Sequence, residues 1–159
     1  MPDRWLLIGV GNPLRRDDGI GPAVINQLTL LDHNPDITLI NHHGEGLSLL
    51  EAWRGYPSVI LIDATHSGQK PGTIQRFVID PDSPPLPCGL FRYSSHLFGV
   101  AEAVALAQSL NRLPTRLVVY GIEGLDFSHG EQLTPPAQAA LPLVIAQIKF
   151  ELSELANSR

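Results

Sequence analysis

The chain has 159 residues, 43% of them hydrophobic, and a formal net charge of -5. That length holds one domain with a sizeable core, the apolar content excludes disorder over most of it, and the acidic balance argues against a general nucleic-acid binder. The single cysteine, Cys88, excludes an internal disulfide framework and fits a reducing compartment.

The opening MPDRW has no basic segment followed by an apolar run, so no signal peptide is predicted. No apolar stretch reaches the roughly 18 residues that span a bilayer. Leu6 to Val10 is short, branched and bounded by turn residues, as a buried strand is. It turns at Gly9-Val10-Gly11-Asn12-Pro13 and delivers Asp17 and Asp18, either of which can cap a helix starting near Gly21-Pro22. Ala23, Val24, Ile25, Leu28 and Leu31 give that helix its apolar face.

Asp36 to Asn41 reads as a second strand, His42 to Gly46 as a loop, and Leu47 to Trp53 as a short amphipathic helix. Ser58 to Asp63 is a continuous run of branched residues, hence a central strand. Thr73 to Ile79 alternates polar and apolar, as an edge or antiparallel strand does, and the proline-rich stretch Asp80 to Leu90 is a loop. Ser95 is placed to cap a helix over His96 to Leu110, and Arg116 to Tyr120 is the last strand. A loop over Gly124 to Leu133 leads to Thr134-Pro135-Pro136, which opens a C-terminal helix that Pro142 should kink or divide. The order predicts an α/β fold: a three-layer single domain over residues 1–155, with a mostly parallel twisted sheet of about five strands flanked by helices. Residues 156–159 form a frayed tail.

A strand that ends in glycines and leads into a helix marks the usual ligand crevice of an open α/β sheet. Gly9-x-Gly11 is not a dinucleotide fingerprint, because the third glycine position holds Leu14 and two acidic residues would repel a pyrophosphate. No GxxxxGK[ST] is present. The polar groups delivered to strand and loop ends are Asp18, Asp63 in IDATHSG, and His96 in YSSHLFG. If the first and third strands are parallel neighbours, Asp18 and Asp63 emerge at one carboxyl edge, and a helix packed there can bring in His96. Two carboxylates and an imidazole suit nickel, manganese, iron or zinc. Each residue also has a plain structural reading: Asp18 as a cap, Asp63 as a loop closer, His96 as a buried hydrogen-bonding side chain. His42-His43 follows the second strand, where it can reach the same edge, but reads as a solvated loop; Glu123, at the end of the last strand, either faces the site or bonds backbone amides.

The segments GVGNPLRRDDGIGPAV, GEGLSLLEAW, VILIDATHSGQKPGTI, SSHLFGVAEAVALAQSL, VVYGIEG and LTPPAQAALPLVIAQI follow one another over nearly the whole chain. Together they resemble the [NiFe]-hydrogenase maturation endopeptidases, the family that trims the C-terminus of the hydrogenase large subunit. Carried over by position, the resemblance implies that Asp18, Asp63 and His96 are both the metal-contacting and the catalytic residues. The first of these is often Glu in the family, and many members read GIEP where this chain has Gly121-Ile122-Glu123-Gly124. The resemblance further implies a cytoplasmic monomer whose partner is a large-subunit precursor, with no nucleic acid or membrane partner and no organic cofactor. Nickel would be supplied by that precursor and serve as the recognition signal. Metal polarisation of a carbonyl or water, and general-base action by a carboxylate, both fit the residue types. The alternatives are a non-catalytic nickel carrier or assembly checkpoint, and a small α/β hydrolase acting on another substrate; the absence of GxSxG counts against the serine form of the latter.

Overall fold

The computed structural model of the chain describes residues 4–31, 34–87, 89–91 and 99–157. Five strands form one sheet: β1 (Trp5–Val10), β2 (Ile37–His42), β3 (Ser58–Thr65), β4 (Ile74–Ile79) and β5 (Arg116–Glu123), in the spatial order β2-β1-β3-β5-β4. All neighbours run parallel except β4, which pairs antiparallel with β5 at the edge. The helices are α1 (Ile20–Leu31), α2 (Gly46–Trp53), α3 (Val100–Ser109) and α4 (Pro135–Asn157), with a 3-10 turn over Arg16–Gly19 leading into α1. The three-layer α/β architecture expected from the sequence is the one observed.

β1, β3 and β5 are apolar on both sides because both faces of the sheet are covered. Trp5, Leu7, Ile60, Ile62 and Val118 meet α1 and α4 on one face. Leu6, Ile8, Val59, Leu61 and Leu117 meet α2 and α3 on the other. The period of two along each strand divides these sets. α1 approaches the sheet at van der Waals limits: a Cβ on Gly21 would lie 2.5 Å from the carbonyl oxygens of both Val10 and Ile62.

Several boundaries differ from the sequence reading. β3 and β5 extend past Asp63 and Tyr120 because their polar ends satisfy one another: Thr65 pairs with Glu123, and its hydroxyl donates to Glu123 Oε1 at 2.8 Å. α3 is capped at Gly99, whose N–H donates to Glu102 Oε1 at 3.3 Å; Ser95, the expected cap, lies outside the described residues. α1 needs neither aspartate as a cap, since it continues directly from the 3-10 turn. α2 is capped by Glu45, whose carboxylate accepts from the Leu47 and Ser48 amides at 3.0 and 2.9 Å. α4 runs unbroken through Pro142.

The fit of α1 against the sheet sets a first prediction. Gly21→Ala should lower unfolding free energy by about 3 kcal/mol, the upper range for overpacking a tight contact, as read by urea denaturation. A variant as stable as the parent would mean that α1 can slide off β1 and β3.

Candidate active site at the carboxyl edge of the sheet

β1 and β3 are adjacent, with Gly9 opposite Ile62, yet the chain leaves β1 toward β2 on one side and reaches β3 on the other. The carboxyl ends of β1 and β3 therefore flank the switch point of the sheet, where open α/β sheets carry their ligand crevice. A pocket of about 350 Å³ opens there, with Gly11, Arg15, Asp18, His43, Asp63 and Phe91 among its walls.

Asp63 reaches it from β3. It shares the parity of Val59 and Leu61, so it points to the α2–α3 side of the sheet, at the end where the helices no longer cover the strand. It is 6% exposed, and its Oδ1 accepts the Ala64 amide at 2.8 Å. Asp18 reaches the pocket from the 3-10 turn, and its Oδ2 accepts the Asn12 amide at 2.9 Å. Gly11 makes that turn feasible: its φ is +136°, and a Cβ there would lie 2.0 Å from the Asp18 carbonyl oxygen.

Both carboxyls are held above the ordinary carboxylate range. Burial raises Asp18, opposed by the Asn12 hydrogen bond and the Arg15 charge. Burial also raises Asp63, well above its usual value; the negative charge of Asp18 adds to this and the Ala64 amide opposes it. The two groups thus feel each other across the pocket, and a cation placed between them removes both the repulsion and part of the desolvation penalty. The donor set fits a metal of the oxygen-preferring kind.

Asp17, next in sequence to Asp18, does something else. It is fully buried and holds the loop before α4. Its Oδ2 accepts from the Leu125 and Asp126 amides at 2.7 and 3.3 Å and from the Thr134 hydroxyl at 2.6 Å, while Oδ1 accepts the Thr134 amide at 2.8 Å. About 120° separates neighbours in a 3-10 turn, which sends one aspartate inward and the next into the pocket. Glu123 also proves structural, accepting from Thr65, from the Ser67 amide at 2.9 Å and from the Ser67 hydroxyl at 2.7 Å.

His43 is an exposed loop residue, as the sequence reading expects, and it also lines the pocket. Its ring stacks on His42 at 4.7 Å between centroids, and His42 is the last residue of β2, with Nδ1 accepting the Gly44 amide at 2.8 Å. The position of His43 after the second strand, expected from sequence to reach the same edge, is explained by the register of β2 with β1, which places His42 beside Val10. His96 lies in the segment 92–98 and Cys88 at its own position, both outside the described residues. Phe91, which precedes that segment, lines the pocket, and Gly99, which follows it, caps α3. Among the described residues no group of three His, Cys, Asp or Glu side chains is arranged to hold a metal.

A wider groove of about 640 Å³ lies between β4, β5 and α4. Its walls include Val78, Val118 and Phe150, and two of its charged groups pair with each other: Arg76 with Glu151, which accepts the Tyr120 hydroxyl at 2.6 Å. Nothing there offers hydrolytic chemistry.

Two stability measurements separate the roles of the neighbouring acids. Asp17→Asn replaces an accepting oxygen with a donor facing donors, and should cost about 2–3 kcal/mol in urea unfolding. Asp63→Asn should do the reverse. A carboxyl whose folded-state pKa is raised weakens the native state as pH climbs from the ordinary carboxylate range through the raised value. The asparagine variant should therefore melt at the parental temperature in acid and above it at neutral pH. A gain of about 1 kcal/mol corresponds to roughly 2–4 °C in a chain of this size. Equal melting temperatures at every pH would refute the buried-charge assignment.

The comparisons with known proteins bear on this geometry. The family model described as hydrogenase maturation protease matches residues 22–151, a span that contains Asp63 and His96 and begins after Asp18. The hydrogenase expression/formation protein HupD of Bradyrhizobium diazoefficiens is 30% identical over 138 residues, 86% of this chain and 71% of that one. HupD of Rhizobium leguminosarum bv. viciae is 28% identical over 144 residues, 89% of this chain and 70% of its own length. Among solved structures, the hydrogenase maturating endopeptidase HybD from E. coli superposes with a TM-score of 0.76 at 21% identity, covering 95% of this chain and 93% of that one. The [NiFe] hydrogenase maturation protease HybD from Thermococcus kodakarensis gives 0.71 at 24% identity, covering 94% and 98%. The structures establish the shared fold, and the sequence matches establish the lineage: this chain belongs to the hydrogenase maturation protease family.

Proposed function

We propose that the chain is an endopeptidase that removes the C-terminal extension of a nickel-loaded [NiFe]-hydrogenase large-subunit precursor. Family membership supports the peptidase class. The observation that carries the finer reading is the meeting of Asp18 and Asp63 in one pocket at the switch point, two carboxylates held above their ordinary range with a cation as the natural relief. Nickel is the cargo of the substrate in this reading, and no organic cofactor takes part. The reaction takes place in the cytoplasm, between a monomer and its precursor in a transient complex.

Asp18 and Asp63 are the residues that would meet the metal of the precursor, joined by His96. A bound divalent cation supplies Lewis-acid polarisation of a carbonyl or of a water molecule. The protein's own part is orientation and charge. Asp63 is fixed by the Ala64 amide and Asp18 by the Asn12 amide, so each offers its second oxygen toward the pocket. Cation contact displaces the protons that burial favours, leaving two carboxylates beside the segment to be cut. One of them can then accept the proton of an attacking water. Burial of Asp63, 6% exposed, strengthens its interaction with a cation.

The test mixes the purified protein with a nickel-containing precursor and follows the precursor mass. Cleavage should remove the C-terminal extension from the nickel-loaded form and leave metal-free precursor intact. Asp18→Ala, Asp63→Ala and His96→Ala should each reduce the rate by at least about a hundredfold, the usual cost of losing a positioned catalytic or ligating group. Normal cutting by all three variants would overturn the site assignment, and rapid cutting of metal-free precursor would remove nickel from recognition. Tight stoichiometric binding of free nickel with no cleavage under any condition would instead indicate a carrier.

A further inference from the structure

We infer that Arg15 is a substrate-binding residue that takes a carboxylate of the precursor chain at the rim of the Asp18–Asp63 pocket. The inference rests on the processing role proposed above and adds a specificity contact to it. Arg15 lines the pocket with both aspartates but is itself exposed. Its backbone is pinned on both sides: its amide donates to the Asn12 carbonyl at 3.1 Å, and its carbonyl accepts the Asp18 amide at 3.0 Å. A bridge to Gly130 adds a third restraint.

The side chain is aimed as well. Nε–H donates to the Phe127 carbonyl at 3.1 Å, which leaves the two Nη groups as an end-on fork. That fork matches the two oxygens of a carboxylate. Among the described residues, the Nη groups have no hydrogen-bond or ion-pair partner. Arg16 next to it has Asp126 at 3.6 Å, so this stretch pairs one arginine internally and holds the other ready. Asp18 is near enough to feel the Arg15 charge, yet it is bonded to Asn12 instead.

The charge pattern of the pocket is therefore dipolar, with carboxylates deep and a guanidinium at the edge. A chain with net charge -5 repels anionic groups in general, so a single oriented guanidinium beside the cut site selects where an anionic group lands. The carboxylate can belong to an acidic side chain near the cleavage point or to the C-terminus of the extension.

The experiment measures precursor affinity by direct titration and processing kinetics side by side, for the parent, Arg15→Gln and Arg15→Lys. Arg15→Gln should raise both Kd and KM roughly tenfold while kcat stays within about twofold, and Arg15→Lys should recover only part of the affinity. Melting temperatures within about 2 °C of the parent confirm that each variant is folded. In the second arm, acidic residues near the cut are changed to amides one at a time, and separately the C-terminus is amidated. The change that removes the partner carboxylate should weaken the parent roughly tenfold and Arg15→Gln no further. The inference is overturned if Arg15→Gln binds as tightly as the parent, or if every precursor change adds to it independently. A parent that binds but never cuts would sink the processing role while the coupling in affinity still tests Arg15. A parent that does not bind at all would overturn both.

Discussion

The parallel pairing of β1 with β3 is the constraint from which the candidate site follows. It puts the turn after β1 and the polar end of β3 side by side, although Asp18 and Asp63 are 45 residues apart in the chain. Gly9 and Gly21 let α1 lie against both strands at a distance no side chain tolerates, and this fixes where the 3-10 turn emerges. Any shift of β1 by one residue against β3 would exchange the two faces and turn the pocket residues into the core.

This arrangement costs stability where it creates function. Two carboxyls lean on the same small volume, one of them almost wholly buried, and among the described residues neither is neutralised by an ion pair. A protein selected for stability alone would place asparagine or a hydrophobe there. The surrounding turn compensates with well-satisfied polar anchors. Asp17 ties the loop before α4 to the start of α1, and Glu123 closes the ends of β3 and β5. A like-charge pair carried on a rigid frame is an arrangement suited to a ligand that brings positive charge with it.

Much of this was legible from sequence. Strand and helix existence followed from periodicity, whereas the shared carboxyl edge of the first and third strands is conditional on their being parallel neighbours, which the pairing of β1 with β3 shows. What sequence left open depended on contacts between distant segments. Asp17 and Asp18 are chemically identical and adjacent, and only the loop at Leu125 to Thr134 decides which is structural. His43 is solvated as expected, and only the pairing of β1 with β2 shows that it also forms part of a pocket wall. The third strand reads from sequence as ending at Asp63 because Thr65 is polar, and its hydrogen bond to Glu123 is invisible until β3 and β5 are paired. Gly99 is not legible as a cap because glycine has no capping side chain, and the bond that closes the turn comes from Glu102.

The central claim is that Asp18 and Asp63 meet a metal carried by the precursor. Nickel K-edge X-ray absorption addresses it directly, on the nickel-loaded precursor alone and in stoichiometric complex with the protein. The account predicts added oxygen ligands at about 2.0–2.2 Å in the complex, lost when both aspartates are changed to alanine. A nickel environment unchanged by a protein that nonetheless binds and cuts the precursor would contradict it.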